Sequence, residues 1–332
     1  MYVVGVDGGA SSTRAVVGTR DGELLGFGRA GPSNHLQGEA GRRRLRGALT
    51  DSVTGALHGA SVRPEDVQAC WLGMTGTWGD RAERDLIIRT SRDIVPCQLI
   101  EVGGDVHGAL VGAAFGQPGV IVYAGTGSIA YALDEHGNAW RTGGWGYLID
   151  DAGGAYHVGR AALTAVFRAS DGRAPPTSLR ERLLEHLQAD TLEDVRKRVY
   201  VDDGMDRPSL ARLARVVAQA ARDGDGVASS ILARAGLELA SLATTTLGKL
   251  PAEGARRESV YVAGGLFDAG PRLLDAFTAA VHDQYPGVEV RRPEFPPVIG
   301  SFIMALRLIG DPPLDEAQRQ RMADAVERLG IT

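Results

Sequence analysis

Residues 3–26 read VVGVDGGASSTRAVVGTRDGELLG, and residues 120–141 read VIVYAGTGSIAYALDEHGNAWR. Both stretches follow one order: a strand, a glycine turn with hydroxyl side chains, a second strand, a turn with an acid and a glycine, and a third strand. The second copy begins about 117 positions after the first. Because an internal repeat fixes the architecture of a chain, we expect two similar α/β lobes, each built on an antiparallel three-stranded meander.

The remaining patterns assign the rest of the chain to these two lobes. We predict a first lobe from residues 1–115 and 300–332, and a second lobe from residues 116–299. Between about residues 175 and 250, apolar residues recur at three- and four-residue spacing, which predicts a helical insertion in the second lobe. The proline-rich segment Arg292–Pro297 is expected to carry the chain from one lobe to the other.

Composition limits the classes of function. The 332 residues include 36 basic and 41 acidic side chains, and the net charge of −5 gives no electrostatic reason to expect nucleic acid or an anionic membrane as partner. Cys70 and Cys97 are too few for a disulfide framework or a four-thiolate metal site. The first residues form a strand pattern without a basic and apolar leader, so we expect a cytoplasmic protein.

The first glycine turn has the composition of a phosphate site. A glycine pair at a strand end lets backbone N–H groups and hydroxyls approach phosphate oxygens without obstruction. Asp7, just before the pair, would repel a bare phosphate, but it suits a Mg²⁺ ion lying between carboxylate and phosphate. The alternative is a hairpin turn that uses Asp-Gly for its geometry alone. The candidate phosphate ligands of this turn are Gly8, Gly9, Ser11, Ser12 and Thr13.

The second glycine turn lies at the same place in the repeat and carries no acid. Its backbone N–H groups and hydroxyls would hold phosphate directly, and the candidate ligands are Gly125, Thr126, Gly127 and Ser128. A Walker sequence and a dinucleotide-binding fingerprint are both absent, so phosphate binding would use the two hairpins. A third strand ends at Gly264-Gly265, where a nucleoside could pack, although a plain strand end fits equally well.

Asp105 follows a predicted strand and two glycines, at the expected start of a helix. Asp is a preferred N-cap residue, which is one explanation of its place. The other is a general base that accepts the proton of a hydroxyl as it attacks the γ-phosphate of ATP. The two roles are compatible, and the sequence does not choose between them.

Three further segments are candidates for binding a polar substrate. The densest glycine cluster, residues 143–154, reads GGWGYLIDDAGG and indicates a ligand-facing loop in which Asp151 accepts hydrogen bonds from hydroxyls, with a loop that serves folding alone as the alternative. In the segment Pro32–His35, Asn34 would form a hydrogen bond with a hydroxyl or an amide of the ligand. A single histidine such as His35 more often has a structural role. Alternatively, Ser33 or Asn34 caps the next helix. Residues 75–79 follow a strand and could line the same cleft. The candidate substrate ligands are Asn34, His35, Thr75, Gly76, Thr126, Gly127, Gly144, Trp145 and Asp151.

These clusters, in this order, resemble the superfamily of sugar kinases, hexokinases, heat-shock 70 proteins and actin. Within it, the chain is similar over nearly its whole length to the N-acetylglucosamine kinases and the BadF/BadG/BcrA/BcrD ATPases. Its most specific segment, GGWGYLIDDAGGAYHVG at residues 143–159, is similar to that family's GGWG-x-x-x-GDEGS-x-Y pattern. The resemblance implies two ribonuclease H-like, actin-like ATPase lobes with an interlobe cleft, the second lobe carrying the helical insertion.

The resemblance also implies roles for matching residues and a homodimer as the assembly. Asp7 would hold Mg²⁺ through water, and Asp105 would be the catalytic base. The other matches are Thr126, Gly127 and Ser128 with phosphate, Asn34 and Asp151 with the sugar, and Gly264 and Gly265 with the adenosine. The chain departs from the pattern at Ala152 and Gly154, where the family has glutamate and serine, and at Leu36, where eukaryotic members have tryptophan.

From these observations we expect an ATP-dependent kinase of an amino sugar, first of all N-acetylglucosamine, phosphorylated at its 6-position. Glucosamine is the alternative substrate. A different class is an ATPase that activates a reductase or dehydratase, whose relatives bind one [4Fe–4S] cluster between two subunits. Here both cysteines fall in or beside first-lobe strands, away from the position expected for such a cluster. A third hypothesis is a non-catalytic sugar-sensing regulator, which we do not favour because the phosphate motif begins almost at Met1 and leaves no place for an N-terminal DNA-binding segment.

Overall fold

The computed structural model describes residues 1–34, 36, 38–77, 81–201, 204–251, 258–310 and 314–331. The chain divides into two compact units: unit 1 is Met1–Pro118 with Arg292–Thr332, and unit 2 is Gly119–Arg291. Residues 116–118 and 292–299, which we assigned to the second lobe, therefore lie in unit 1. The cause is visible in the backbone, because the N–H groups of Glu294 and Phe295 donate to the carbonyls of Ala113 and Gly112.

Unit 1 contains a five-stranded sheet in the order β3-β2-β1-β4-β5. The strands β1, β2 and β3 form the predicted antiparallel meander, while β4 and β5 add on the other side of β1 as parallel neighbours. Because β1, β4 and β5 run in one direction, their carboxyl ends lie at one edge of the sheet. The strand bounds are Tyr2–Gly8 (β1), Thr13–Thr19 (β2), Leu24–Ala30 (β3), Val67–Met74 (β4) and Leu99–Gly104 (β5).

Among the described residues of unit 1, five α-helices pack around this sheet. Helix α1 (Gly38–Gly59) packs against β3, and helix α10 (Pro297–Leu308) packs against β1 and against helix α3 (Asp105–Ala113). The contact between α10 and α3 requires the two helix backbones to lie very close together. A Cβ at Gly300 of α10 would overlap the carbonyl oxygen of Gly108 in α3 and lie 2.5 Å from the amide nitrogen of Gly112. The helix bounds are Gly38–Gly59 (α1), Arg81–Ile94 (α2), Asp105–Ala113 (α3), Pro297–Leu308 (α10) and Glu316–Leu329 (α11).

Unit 2 repeats the plan. Its sheet has the order β10-β9-β6-β7-β8, with β6, β7 and β8 as the antiparallel meander and β9 and β10 parallel to β6. Strand for strand, the pairing is that of unit 1, so the repeat predicted from the sequence is confirmed. The bounds are Gly119–Ala124 (β6), Ser128–Leu133 (β7), Ala139–Gly143 (β8), Ser259–Ala263 (β9) and Glu289–Arg291 (β10).

The helices of unit 2 form one core with its sheet. Helix α8 is long and apolar enough, by length and composition, to cross a membrane. Its side chains Leu232, Leu239 and Leu247 are nevertheless buried in the core of unit 2, and it packs along α9 and α7, which identifies it as a core helix. The bounds are Ala155–Ser170 (α4), Leu179–His186 (α5), Leu192–Tyr200 (α6), Arg207–Arg222 (α7), Gly226–Lys249 (α8) and Pro271–Gln284 (α9).

The glycine contact between α10 and α3 can be tested with a matched pair of variants. We expect Gly300→Ala to destabilise unit 1 by more than about 2 kcal/mol, because rigid backbone surrounds the added methyl. Gly47→Ala, in the exposed middle of α1 where nothing lies within 4 Å, should stabilise by about 0.5–1 kcal/mol. Thermal unfolding followed by circular dichroism measures both, and an unchanged midpoint for Gly300→Ala would contradict the packing argument.

Candidate active site

In unit 1, three predicted residues follow neighbouring parallel strands. Asp7 lies near the end of β1, Thr75 follows β4, and Asp105 follows β5. In the register of these strands, Asp7 is level with Gly73 and Gly73 with Gly103. Topology therefore brings together, at one sheet edge, side chains that lie up to 98 positions apart (105 minus 7).

Asp7 is a buried carboxylate with one basic partner. The hairpin register puts Arg14 of β2 directly opposite it, and Arg14 Nη1 lies 3.6 Å from Asp7 Oδ2. Burial and, to a smaller extent, the negative charge of Asp105 raise the pKa of Asp7, Arg14 lowers it, and the net result is a pKa of about 7. One arginine at that distance thus compensates only part of the cost of keeping this carboxylate charged.

Asp105 is held by two donors. The hydroxyl of Thr75 donates to Oδ2 at 2.6 Å, and the N–H of Val106 donates to Oδ1 at 2.9 Å. Burial raises the pKa of Asp105, while these two hydrogen bonds act in the opposite direction. Asp105 is the first residue of α3 and Gly104 occupies the N-cap position, so the capping explanation from the sequence is wrong.

The first glycine turn is fixed by backbone hydrogen bonds. The N–H of Gly9 donates to Ser12 O at 3.0 Å, and the N–H of Thr75 donates to Gly8 O at 2.9 Å, which ties the turn to the end of β4. Thr13 is buried and its hydroxyl donates to Gly31 O, whereas Ser11 is exposed and Ser12 half-buried. The hydroxyls left for a ligand at this turn are those of the two serines.

The predicted sugar segment of unit 1 lies against the same turn. The N–H of Ser33 donates to Gly9 O at 3.2 Å, and both Nε and Nη2 of Arg44 donate to Asn34 O. Asn34 is half-buried, and α1 begins only at Gly38, so neither Ser33 nor Asn34 caps it. Leu36 is buried. His35 lies outside the described residues, and Gly76, beyond Thr75, is exposed with φ +84°.

The carboxylates of unit 1 fit a divalent cation. Asp7 and Asp105 repel each other in a buried place, and Mg²⁺ prefers oxygen ligands. Within the described part of the chain, no group of three or more His, Cys, Asp or Glu side chains forms a complete metal site. Mg²⁺ would therefore take most of its ligands from water and from phosphate, as this ion does where it binds nucleotides.

In unit 2, the second glycine turn is bonded to the start of α4. The N–H groups of Ala155 and Tyr156, the first residues of α4, donate to the carbonyls of Gly125 and Thr126 at 2.9 and 3.1 Å. The described residues contain no cis peptide, and in a trans peptide the carbonyl and the following N–H point in opposite directions. The N–H groups of Thr126 and Gly127 therefore point away from α4, as phosphate donors would.

The turn and the glycine-rich loop of residues 143–154 are packed together. A Cβ at Gly154 would lie 2.8 Å from the carbonyl carbon of Gly127. The buried hydroxyl of Ser128 donates to Ala152 O at 2.6 Å, so this side chain serves the loop rather than a ligand. Because position 154 lies so close to the backbone of Gly127, glycine fits there without a clash, whereas the N-acetylglucosamine kinase pattern has serine at this position.

Asp151 is buried and paired. Its Oδ2 lies 2.7 Å from Nη2 of Arg207, the first residue of α7. Burial raises the pKa of Asp151 and Arg207 opposes that rise. The guanidinium of Arg207 also lies over the ring of Tyr147, 5.1 Å from its centre. Asp151, which the sequence predicts to bind the sugar, therefore already accepts a hydrogen bond from Arg207 at one of its two carboxylate oxygens.

The rest of the loop is open. Trp145 is 61 % exposed, and the guanidinium of Arg141 lies 4.3 Å from the centre of its ring. Gly144 has φ +69°, a conformation that favours glycine. At the end of β9, Gly264 has φ +93° and touches the backbone of Ala124, while Gly265 has open space around it.

With this geometry in view, comparisons with known proteins decide the family. The family model described as BadF/BadG/BcrA/BcrD ATPase matches residues 4–305. The chain belongs to the BadF/BadG/BcrA/BcrD ATPase family. An N-acetylmuramic acid/N-acetylglucosamine kinase of Clostridium acetobutylicum is 30 % identical over 92 % of this chain and 98 % of its own length. An N-acetyl-D-glucosamine kinase of Dictyostelium discoideum is 26 % identical over 91 % and 97 %.

Solved structures show the same fold. A candidate N-acetylglucosamine kinase from Chromobacterium violaceum has a TM-score of 0.74 and 26 % identity, covering 92 % of this chain and 98 % of that one. A ROK family glucokinase from Streptomyces griseus, solved with glucose and AMPPNP, has a TM-score of 0.54 and 18 % identity, covering 92 % and 100 %. The fold of this BadF/BadG/BcrA/BcrD ATPase family member is the predicted actin-like ATPase fold.

Three arginines of this family member were missed by the sequence reasoning. Arg14 could have been identified from the sequence as the partner of Asp7, because the hairpin register that pairs Gly8 with Thr13 also pairs Asp7 with Arg14. Arg44 and Arg207 carry no such signal. They lie 10 and 56 positions from Asn34 and Asp151, and only tertiary packing brings each pair together.

The buried charge of Asp7 predicts a pH-dependent stability. Its pKa is about 7 in the fold against 3.8 in the unfolded chain, so the folded protein binds the extra proton between these values. Stability should therefore fall as pH rises through this window. In metal-free buffer at pH 8, we expect Asp7→Asn to unfold at a higher temperature than the wild type, by an amount equivalent to at most about 4 kcal/mol.

The gain should vanish near pH 4, where Asp7 is already protonated in the fold. Asp51→Asn, an exposed position on α1, serves as the control and should not change the pH profile. A lower unfolding temperature for Asp7→Asn at pH 8 would show instead that the pairing with Arg14 outweighs the cost of burying the charge.

Proposed function

We propose that this protein is an ATP-dependent amino-sugar kinase that transfers the γ-phosphoryl group to N-acetylglucosamine, at its 6-hydroxyl. The observation that carries the proposal is the carboxylate of Asp105, buried, fixed by Thr75 and Val106, and placed at the sheet edge where Asp7 and the first glycine turn also lie. Curated relatives named as N-acetylglucosamine kinases match nearly the whole chain and support the same assignment.

Asp105 would act as the general base. A carboxylate oxygen accepts the proton of the sugar hydroxyl while the hydroxyl oxygen forms a bond to the γ-phosphorus, and the bond from that phosphorus to the bridging oxygen of ADP breaks. The raised pKa of Asp105 makes it a stronger base than an exposed aspartate. The hydrogen bond from Thr75 holds Oδ2, so the carboxylate does not rotate away from the hydroxyl.

The two glycine turns would bind the phosphates of ATP. In unit 2, the outward N–H groups of Thr126 and Gly127 are the donors; in unit 1, Ser11 and Ser12 supply hydroxyls. Mg²⁺, held through water by Asp7, would neutralise phosphate charge. Gly264 and Gly265 would contact the adenosine: Gly265 has open space beside it, and Gly264 lets β9 lie close to the backbone of Ala124.

Recognition of the sugar is assigned to Asn34, Asp151 and the loop around Gly144 and Trp145. Glucosamine is the runner-up substrate, because a glucosamine kinase of Vibrio cholerae is 29 % identical over 57 % of this chain and 62 % of its own length. We also propose a homodimer in the cytoplasm.

The alternative of a reductase-activating ATPase has no observation in its favour. Cys70 and Cys97 are both buried, and burial raises the pKa of both thiols, which disfavours the thiolates that an iron–sulfur cluster needs. A shared cluster between two subunits also requires cysteines at a surface. Iron analysis of the anaerobically purified protein tests this directly, and one cluster per dimer would overturn the kinase proposal.

The substrate is tested with a coupled assay of ADP release over a panel of hexoses and amino sugars. We expect the highest kcat/KM for N-acetylglucosamine, with glucosamine and N-acetylmuramic acid below it and glucose lowest. Phosphorus NMR of the product identifies the phosphorylated position. ADP release that no sugar stimulates would refute the proposed function.

The base is tested with Asp105→Asn. We expect kcat to fall by about 10³-fold or more, because asparagine cannot accept the proton, while the Kd of MgATP changes little. Asp93→Asn, on the exposed face of α2, is the matched control and should keep wild-type kcat. Substantial activity in Asp105→Asn would remove Asp105 from the role of base.

A further inference from the structure

The cation beside the second glycine turn is Arg207. A Cβ at Gly127 would lie 2.8 Å from Nη2 of Arg207 and 2.7 Å from Cγ of Asp151, so both groups lie directly against this turn residue. The turn itself offers only backbone N–H groups and hydroxyls, which are neutral donors. A nucleotide phosphate bound there would therefore meet one carboxylate, Asp151, and one guanidinium, Arg207.

The guanidinium has bonding capacity that the protein does not use. Nη2 donates one hydrogen bond to Asp151 Oδ2. The Arg207 side chain nevertheless keeps 34 % of its surface exposed, so a ligand can reach the guanidinium. Arginine presents several donors in a planar fork, which matches the geometry of phosphate oxygens.

The side chain is also held in place on several sides. Asp151 fixes Nη2, the ring of Tyr147 lies under the guanidinium, and Tyr147 in turn packs edge-on against Tyr156 of α4. Arg207 is the first residue of α7, whose N-cap Asp206 accepts from Ser209 N–H. An arginine fixed in this way loses little side-chain entropy when a ligand binds.

We propose that Arg207 is a phosphate-binding residue of unit 2, whose exposed guanidinium edge donates to a phosphate oxygen of the nucleotide while Nη2 keeps its hydrogen bond to Asp151. This deepens the proposed function and rests on its ATP-binding part alone. Asp151 is then a positioning residue for Arg207, whatever contact its other oxygen makes with the sugar. Without Arg207, the carboxylate would leave the turn with a net negative charge against phosphate.

The test measures nucleotide binding without sugar, by calorimetric titration with MgAMP-PNP. We expect Arg207→Met to weaken binding by roughly 10–100-fold, the range of one or two lost hydrogen bonds to a charged group. Arg207→Lys keeps the positive charge but loses the planar guanidinium, so its affinity for MgAMP-PNP should lie between those of the wild type and Arg207→Met. Arg212→Met, an exposed arginine of the same helix that donates to Ser209, is the control and should bind like the wild type.

A double variant separates direct contact from simple charge neutralisation. If Arg207 only cancels the charge of Asp151, then Asp151→Asn combined with Arg207→Met should restore wild-type affinity, and the proposal is overturned. If the guanidinium of Arg207 binds phosphate directly, the double variant still binds MgAMP-PNP more weakly than the wild type. Unchanged binding in Arg207→Met would equally overturn it and leave a purely structural ion pair.

Two further outcomes are decisive. If circular dichroism shows Arg207→Met to be unfolded, Arg207→Lys takes its place, and wild-type affinity in that variant overturns the proposal. A wild type that binds MgAMP-PNP but phosphorylates no sugar leaves this inference intact while removing the kinase assignment. A wild type that binds no nucleotide removes both.

Discussion

Two carboxylates, Asp7 and Asp105, lie buried at one edge of the sheet of unit 1 and repel each other. Burial raises the pKa of both carboxyl groups, and the charge of Asp105 raises the pKa of Asp7 further. The surrounding structure offsets this cost only in part, with Arg14 at one carboxylate and Thr75 and Val106 at the other. In the function proposed above, a cation bound near this pair would offset the remaining cost, so that the unfavourable burial would favour binding of the metal–nucleotide complex.

Unit 2 uses the same fold with different chemistry. Its turn has no acid at the position of Asp7, and the first N–H groups of α4 donate to the carbonyls of the turn, so that the N–H groups of Thr126 and Gly127 point away from α4. The acid of this unit, Asp151, comes instead from the glycine-rich loop and is accompanied by Arg207. The duplicated fold thus gives one unit with two buried carboxylates and one in which the carboxylate at the turn is paired with an arginine. This difference is the reason for proposing a metal in the first and phosphate in the second.

Glycine makes both arrangements sterically feasible. In unit 1, a side chain at Gly8 would press on Met74 and Ser33, and one at Gly300 would separate α10 from α3. In unit 2, Gly154 lets α4 approach the turn closely enough for its N–H groups to reach the carbonyls. The departure from the family pattern at position 154 is therefore a packing feature, whereas nothing in the structure explains alanine at position 152.

The sequence by itself determined the repeat, the order of strands and helices, and most of the candidate residues, because strand alternation, helical spacing and glycine turns are local patterns. It also placed Asp7, Thr75 and Asp105 at strand ends, where parallel topology brings them together. Only the tertiary structure decided which charges meet. Arg44 and Arg207 reach their partners across 10 and 56 positions, on helices whose rotation is set by core packing, and no local pattern encodes that rotation. Likewise, Thr13 and Ser128 resemble phosphate ligands in the sequence, yet their hydroxyls are bonded to carbonyls that the fold brings beside them.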